Sequence, residues 1–426
     1  MHAGFTRRDG VLFAEDVPLP RIAQGAGTPT YVYSAAVLRD RAERLTRALE
    51  GVPHRIHYAA KANASAAVLG VLREAGIGVD VVSGGELFQV LRAGFKPADI
   101  VFDGVGKTER DMAEALGAGV KLINVESEAE VRLLSELAVA MGRTATIGLR
   151  VNPDVEIENA HEYIATGDKE HKFGVPIDDA ARVARIAMGL PGLTVSGVHM
   201  HVGSQLFSYG AYETGARKLI QLAHTLRSEG APIKYLDLGG GLPVPYRPEE
   251  TEPDLDVYAA LMRRASEAMG DVEIVMEHGR YLVAASAVLL TQVLYRKHNG
   301  GVEFVVCDAG MTELIRVSHY DAYHHIEPVE PVKHAGGDIV MDVVGPVCES
   351  GDFLGVDRML PDVQPGALMV VHTVGAYGAA MGTRYNGRPF AAEVMVDGAR
   401  WAVVRAREEY MDLVRHEVDC PQWQEA

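Results

Sequence analysis

From residue 54 onward, short apolar runs alternate with longer segments in which apolar positions recur every three or four residues. The apolar runs lie at 54–60, 78–83, 99–105, 121–126, 144–152, 195–202, 233–238 and 272–277. Helix-period segments lie between most of them, at 64–76, 84–94, 107–118, 127–141, 177–189, 211–229 and 254–269, and one more precedes them at 36–50 with Leu38, Leu45 and Leu49 near one face. Strands that alternate with helices pair in parallel. Eight such units match a (β/α)8 TIM-type barrel, whose usual length is about 250 residues. An open doubly wound sheet is the competing arrangement.

The pattern changes near residue 288. Val288–Tyr295, Val302–Cys307, Ile339–Val344, Leu368–Val374, Glu393–Val396 and Arg400–Arg405 are short runs separated by Gly, Pro and Asp turns, which predicts an all-β domain. Residues 1–35 read as short strands and turns without a core of their own, so they are expected to join that domain. The predicted division is a barrel over 36–287 and a β-sandwich or barrel-like domain from 1–35 with 288–426. A polar insertion, Asn152 to Gly174, follows the fifth strand and carries His161, Tyr163 and Lys172. A connection of that length is usually functional or mobile.

Composition narrows the function. A net charge of −17 with no acidic tail disfavours a nucleic-acid partner, because phosphate binding needs a basic face. Cys307, Cys348 and Cys420 are odd in number, widely spaced and free of any CxxC pair, which argues against a disulfide framework and against a zinc site. No apolar run approaches the ~20 residues that span a bilayer, and the first residues lack the apolar core of a secretory signal. A reduced, cytoplasmic, soluble enzyme without metal or membrane partner is the expectation.

In such barrels chemistry sits at the C-terminal strand ends, and phosphate often binds after strands seven and eight. The first predicted strand ends at Lys61, the sixth at His201 in His199-Met-His201-Val-Gly-Ser204, the seventh in Gly239-Gly240-Gly241 and the eighth in Glu277-His278-Gly279-Arg280. Each has an ordinary reading: a solvated strand-end lysine, a satisfied core histidine, a plain glycine turn, an ion pair of Glu277 with Arg280. Each also has a chemical one. A lysine desolvated at an apolar mouth has a lowered pKa and can hold an aldehyde covalently. Three glycines let backbone N–H groups approach an anion, with Ser204 as a further donor. An imidazole can lie flat on a ring, and a carboxylate can keep a pyridine nitrogen protonated so that the ring accepts electrons. Taken together, these groups describe a pyridoxal 5'-phosphate site.

The stretches Tyr58-Ala-Ala-Lys61-Ala-Asn63, Asp80-Val-Val-Ser-Gly-Gly-Glu86, His201-Val-Gly-Ser204, Gly239-Gly-Gly241 and Glu277-x-Gly-Arg280 resemble the fold-type III pyridoxal phosphate decarboxylases, in which an alanine-racemase-like barrel is followed by a β domain. Within that group several further stretches resemble the diaminopimelate decarboxylases. These are His161-x-Tyr-Ile-x-Thr-Gly167 with Lys172-Phe-Gly174, Asp308-Ala-Gly-Met311, Leu314-Ile-Arg316, Tyr320-Asp-Ala-Tyr-His324, Cys348-Glu-Ser-Gly-Asp352, Gly375-Ala-Tyr-Gly378, Tyr385-Asn386 and Arg388-Pro389.

The resemblance covers residues 25 to 415 and implies roles. Lys61 would carry the cofactor and His201 would stack on it. Ser204, Gly239, Gly240, Gly241 and residues Glu277, His278, Gly279 and Arg280 would bind it, with Glu277 at the ring nitrogen. Arg280, Arg316, Tyr320, Glu349 and Tyr377 would contact substrate, and Tyr377 would touch the cofactor as well. Cys348 would be the proton donor, with Cys348 and Glu349 contributed across a homodimer interface. The residue chemistry agrees: two arginines suit carboxylates, and Glu349 suits a distant ammonium. A free cysteine is more often a small buried hydrophobe, so Cys348 keeps that reading too. The resemblance implies decarboxylation of meso-2,6-diaminopimelate to L-lysine. His278 replaces the family's proline, which removes a fixed φ after Glu277 and leaves room for a sister decarboxylase of D-ornithine, D-lysine or carboxynorspermidine. A racemase on this scaffold is disfavoured by Glu277, and a non-catalytic cofactor carrier by the presence of both Lys61 and Cys348.

Overall fold

The computed structural model describes residues 4–156, 171–332 and 337–424. The motif His161 to Gly167 lies outside the described residues. The chain forms two compact units, residues 35–285 and residues 1–34 with 286–426.

In the first unit eight strands form one parallel sheet: β1 (His54–Ala59), β2 (Gly78–Val81), β3 (Ile100–Phe102), β4 (Leu122–Val125), β5 (Ala145–Asn152), β6 (Leu193–His199), β7 (Tyr235–Asp237) and β8 (Glu273–Glu277). Each pairs with the next, and β8 returns to β1 with Glu277 opposite His57, which closes the barrel and excludes the open sheet. The strands are buried almost throughout, as expected of a parallel sheet covered on both faces. Helices follow the strands and start where side chains satisfy their free N–H groups. Ser83 accepts from Glu86 N–H, Ser127 from Glu130 N–H, and Thr108 forms a capping box with Asp111.

The second unit is built on a long strand, Ala287–Asn299, which pairs with Thr30–Ser34, Leu368–Val371 and Val302–Cys307. Thr30–Ser34 also pairs in parallel with Ala392–Asp397, so the N-terminal segment lies inside this sheet. Phe5, Leu12, Leu19, Ile22, Val32, Val288, Leu290, Val370 and Val394 form its core.

Two of the elements that the sequence expectation missed here show why. Leu19–Ala26 is a helix, in a stretch expected to hold strands and turns. Its prolines read as turn formers, yet Pro20 sits in the first helical turn, where the missing N–H costs nothing. Phe353–Leu360 is a strand that pairs with Ile339–Val344 through two register shifts. Those shifts and the positive φ of Asp357 erase the alternation by which a strand is recognised.

Candidate functional site

The barrel contributes a rim of polar groups, each placed by the end of a strand. Immediately after β1 a single 3-10 turn, Ala60–Ala62, holds Lys61 with its side chain 38% exposed and its ammonium 3.8 Å from the buried carboxylate of Asp80 at β2. The turn after β8 lies against it: a Cβ added to Gly279 would come within 3.1 Å of the Ala62 Cβ and 3.2 Å of the Ala59 Cβ. The absence of a side chain at Gly279 therefore brings the Glu277–Arg280 turn beside the lysine turn.

The three glycines after β7 serve the same close packing. A side chain on Gly240 would collide with the Glu277 carbonyl oxygen, and one on Gly239 with that of Met200. Gly239 N–H donates to Asp237 at 2.9 Å, and Gly240 N–H donates to His201 Nδ1 at 3.2 Å. Accepting that bond makes His201 Nδ1 unprotonated. Burial, then the Lys61 and Arg150 charges, push its pKa well below the ordinary value, so this imidazole is neutral. Arg280 is held by two hydroxyls, donating from Nε to Ser204 at 3.0 Å and from Nη1 to Tyr246 at 2.9 Å. The Ser204 hydroxyl hydrogen stays available for another acceptor.

His278 points elsewhere. Its Nε2 lies 2.9 Å from the Tyr258 hydroxyl, its ring packs edge-on to Tyr258 and Tyr281, and burial pushes its pKa down to about 3. This neutral, buried imidazole anchors the turn through its side chain.

Inside the barrel mouth lies a group of buried ionisable side chains, of which the sequence reading singled out Glu277 alone as functional. Asp80 near the end of β2, Asp103 just after β3, and His199, Asp237 and Glu277 at the ends of β6, β7 and β8 are at most 5% exposed. His199 Nε2 is 3.2 Å from Glu277 Oε2, and its Nδ1 is 3.7 Å from Asp103 Oδ1. Burial, then the Asp103 and Asp80 charges, raise the Glu277 pKa well above the usual carboxylate range. Burial and the Glu277 charge do the same to Asp237. For Asp103 burial also raises, but the His199, Arg150 and Lys61 charges outweigh it and hold the carboxyl below its ordinary range. Arg150, itself buried, is tied to Glu126 at 3.0 Å. Glu277 Oε1 has no hydrogen-bond donor among the described residues. A buried carboxylate oxygen in that position calls for a donor, and a protonated pyridine nitrogen is one. The rim thus fits pyridoxal phosphate: a lysine, an unpaired buried carboxylate oxygen, a neutral imidazole and a glycine turn that a single Cβ would disrupt. The missed signal was a charged residue at the C-terminal end of an otherwise apolar strand.

The second unit carries the remaining predicted residues. Arg316 opens a short helix, Arg316–Tyr320, and is buried, whereas Tyr320 is half-buried. Tyr377 adopts a positive φ of 58°, a conformation disfavoured for bulky residues and concentrated at functional positions. Cys348 and Glu349 are exposed on a tight turn. Its anchor is Asp352, whose buried carboxylate accepts the N–H groups of Met311 (2.6 Å) and Val347. Gly310 and Gly345 leave the room it needs, since a Cβ on either would strike that carboxylate. Cys348 N–H donates to Asn386 Oδ1 at 2.7 Å. The turn therefore holds its backbone firmly and leaves the thiol and the Glu349 carboxylate facing outward. Cys307, in contrast, is buried.

Comparison with known proteins agrees with this chemistry. The family described as pyridoxal-dependent decarboxylase, pyridoxal binding domain, matches residues 35–284. Diaminopimelate decarboxylases from Pseudomonas aeruginosa, Vibrio cholerae and Aquifex aeolicus are 45%, 44% and 42% identical, covering 98%, 96% and 97% of this chain and 99%, 96% and 97% of theirs. The crystal structure of diaminopimelate decarboxylase from Helicobacter pylori complexed with L-lysine superposes with a TM-score of 0.89 at 37% identity, covering 94% of this chain and 99% of that one. The M. jannaschii enzyme in co-complex with L-lysine gives 0.92 at 32% identity over 98% of both chains. With relatives this similar along nearly its whole length, the chain belongs to the diaminopimelate decarboxylase family of pyridoxal-dependent decarboxylases.

Proposed function

We propose that this protein decarboxylates meso-2,6-diaminopimelate to L-lysine and CO2 with pyridoxal 5'-phosphate held on Lys61. The observation that carries the reading is the buried Glu277 carboxylate, with an oxygen that has no hydrogen-bond donor among the described residues, on a turn packed by Gly279 against the Lys61 turn. When bound, the cofactor supplies an aldehyde that links to the substrate amine and a protonated ring that takes up the electron pair left as CO2 departs.

The chain's own residues do the rest. Lys61 would hold the aldehyde through its amine. Glu277 accepts the proton-bearing ring nitrogen and keeps it positive. His201, neutral and held by Gly240, covers the ring face. Ser204 and the Gly239–Gly241 turn after β7 bind the phosphate, and His278 and Gly279 contribute backbone to the cofactor site from the turn after β8. Arg280, Arg316, Tyr320 and Tyr377 hold the substrate, the two arginines taking carboxylates, and Glu349 takes the distant ammonium. Cys348 delivers the proton from Sγ to the α-carbon after CO2 has departed. The exposure of Cys348 and Glu349 on a braced turn favours their use against a second copy of the chain in a homodimer. Among the described residues no helix is long and apolar enough to cross a membrane. A free thiol as proton donor suits the reducing cytoplasm.

A panel assay tests the substrate: CO2 release from meso-diaminopimelate, D-ornithine, D-lysine and carboxynorspermidine by the purified holoenzyme, with Lys61→Ala as the blank. Preference for the diacid is expected, because two arginines are set for carboxylates. Faster turnover of a monocarboxylate would transfer the assignment to a sister decarboxylase.

A further inference from the structure

We infer that His199 is the positioning residue that keeps the Glu277 carboxylate ionised and turned toward the ring nitrogen of the bound cofactor. The inference rests on the pyridoxal phosphate reading above and goes beyond it, to a residue that does not touch the cofactor.

His199 ends β6 and is fully buried. Each of its ring nitrogens faces an acid, Nε2 toward Glu277 at 3.2 Å and Nδ1 toward Asp103 at 3.7 Å. A neutral imidazole carries one N–H and one lone pair. A proton carried on Nε2 lies beside the Glu277 carboxylate and favours its ionised form. His201, two residues on, meets a backbone donor instead: its Nδ1 accepts the Gly240 N–H. Two histidines of one His-x-His motif thus face different partners.

Of the neighbouring cations, Lys61 also favours the ionised Glu277 while its amine is free. Lys61 faces Asp80, and its amine becomes bonded when the aldehyde is held. Arg150 is engaged with Glu126. Among the described residues, the ion-pair contact of Glu277 is with His199. Without it Glu277 would sit beside Asp237, Asp80 and Asp103 in a water-poor interior, where the charged carboxylate is disfavoured. A protonated Glu277 no longer accepts the ring N–H, and the ring loses its capacity to take up electrons. Asp103 holds the far side of the imidazole, the arrangement by which outer partners fix ring orientation elsewhere.

The test uses holoenzyme reconstituted with cofactor labelled with 15N at the ring nitrogen, comparing wild type, Glu277→Gln, His199→Gln and Asp103→Asn. We expect His199→Gln to retain the cofactor and to move the 15N resonance in the same direction as Glu277→Gln, toward unprotonated pyridine. Its kcat should fall about 10- to 100-fold, the range seen when such an outer partner is lost, while KM changes less than about threefold. Asp103→Asn should shift the resonance the same way but less. Combined with His199→Gln it should add little, because both act through one contact. An unmoved resonance in His199→Gln overturns the inference whatever the rate does, since a merely structural role slows turnover without altering ring protonation. If that variant loses the cofactor, the Asp103→Asn resonance decides in the same way. If Glu277→Gln itself leaves the resonance in place, the assignment of Glu277 to the ring nitrogen fails first, and the two failures are told apart.

Discussion

The barrel rim and the Cys348 turn solve opposite problems. On the rim, Asp80, Asp103, His199, Asp237 and Glu277 are buried, and their charges act on one another at short range through a medium poor in water. On the turn, Cys348 and Glu349 are exposed, and it is the backbone that is fixed, by the buried Asp352 and by Asn386. In the proposed reaction the rim fixes protonation states, for which burial is suited, and the turn presents the proposed proton donor, for which access with a held backbone is suited. The contrast shows that a buried carboxylate can serve either end: Glu277 among other buried charges, Asp352 as a clasp for a turn whose side chains lie outside.

The largest expected effect separates the two regions outright. Cys348→Ala should leave cofactor absorbance intact and lower kcat by about 10²- to 10⁴-fold, the usual contribution of a positioned proton donor. Absorbance and steady-state CO2 release measure both quantities. Full-speed turnover would remove Cys348 from the mechanism and leave the turn without a catalytic purpose.

A smaller effect is expected one step back from the thiol. Asp352→Asn keeps the volume but replaces a charged acceptor of two backbone N–H groups with an amide whose NH2 has only donors to face. The cost should be about 1–3 kcal/mol, as for other buried groups left mismatched, seen as a lowered Tm. The kcat should fall by less than in Cys348→Ala, because the thiol remains and only its position loosens. A wild-type Tm with unchanged kcat would mean that the turn needs no clasp.

Much of this was legible in the chain, and the reasons differ by region. The barrel strands announced themselves because buried parallel strands are apolar runs and the helices between them keep a 3.6-residue period. Lys61, His201, Gly239–Gly241 and Glu277 stood out because they sit at or just past the ends of the apolar runs, in short motifs that resemble a known family. Asp80, Asp103, His199 and Asp237 did not, since one charged residue inside or just after an apolar run shows nothing of the partners that the barrel's closure brings to it. His278 was legible as a departure but not as a brace, because Tyr258 is twenty residues away. In the second unit Phe353–Leu360 was hidden by register shifts, and the Leu19–Ala26 helix by prolines that start helices as readily as turns.

The smallest and most graded prediction compares the two units through acid. In the barrel, burial holds His278 neutral with its pKa pushed down to about 3, and His57, buried too and facing the Lys121 and Arg55 charges, is also at about 3. An unfolded histidine titrates near 6.5. Between those values the unfolded chain binds a proton that the folded barrel refuses, so this stability is full above about pH 6.5 and is lost as pH falls toward 3. In the second unit, burial would raise Glu327, but the hydrogen bonds from His372 and Arg7 outweigh it and bring its pKa to about 2. That stability is lost only below the ordinary glutamate range near 4.3. The raised carboxyls of Asp80, Asp237 and Glu277 act with the opposite sign, because the folded state then holds the proton more tightly. They are common to wild type and variants and cancel in a difference. The Tm of wild type minus that of His278→Phe should therefore shrink steadily as pH drops below about 6.5. The same difference for Glu327→Gln should stay flat until about pH 4.5 and only then fall. Parallel curves for the two variants would show that His278 does not resist protonation in the folded barrel, and that the Tyr258 hydroxyl can accept a charged partner.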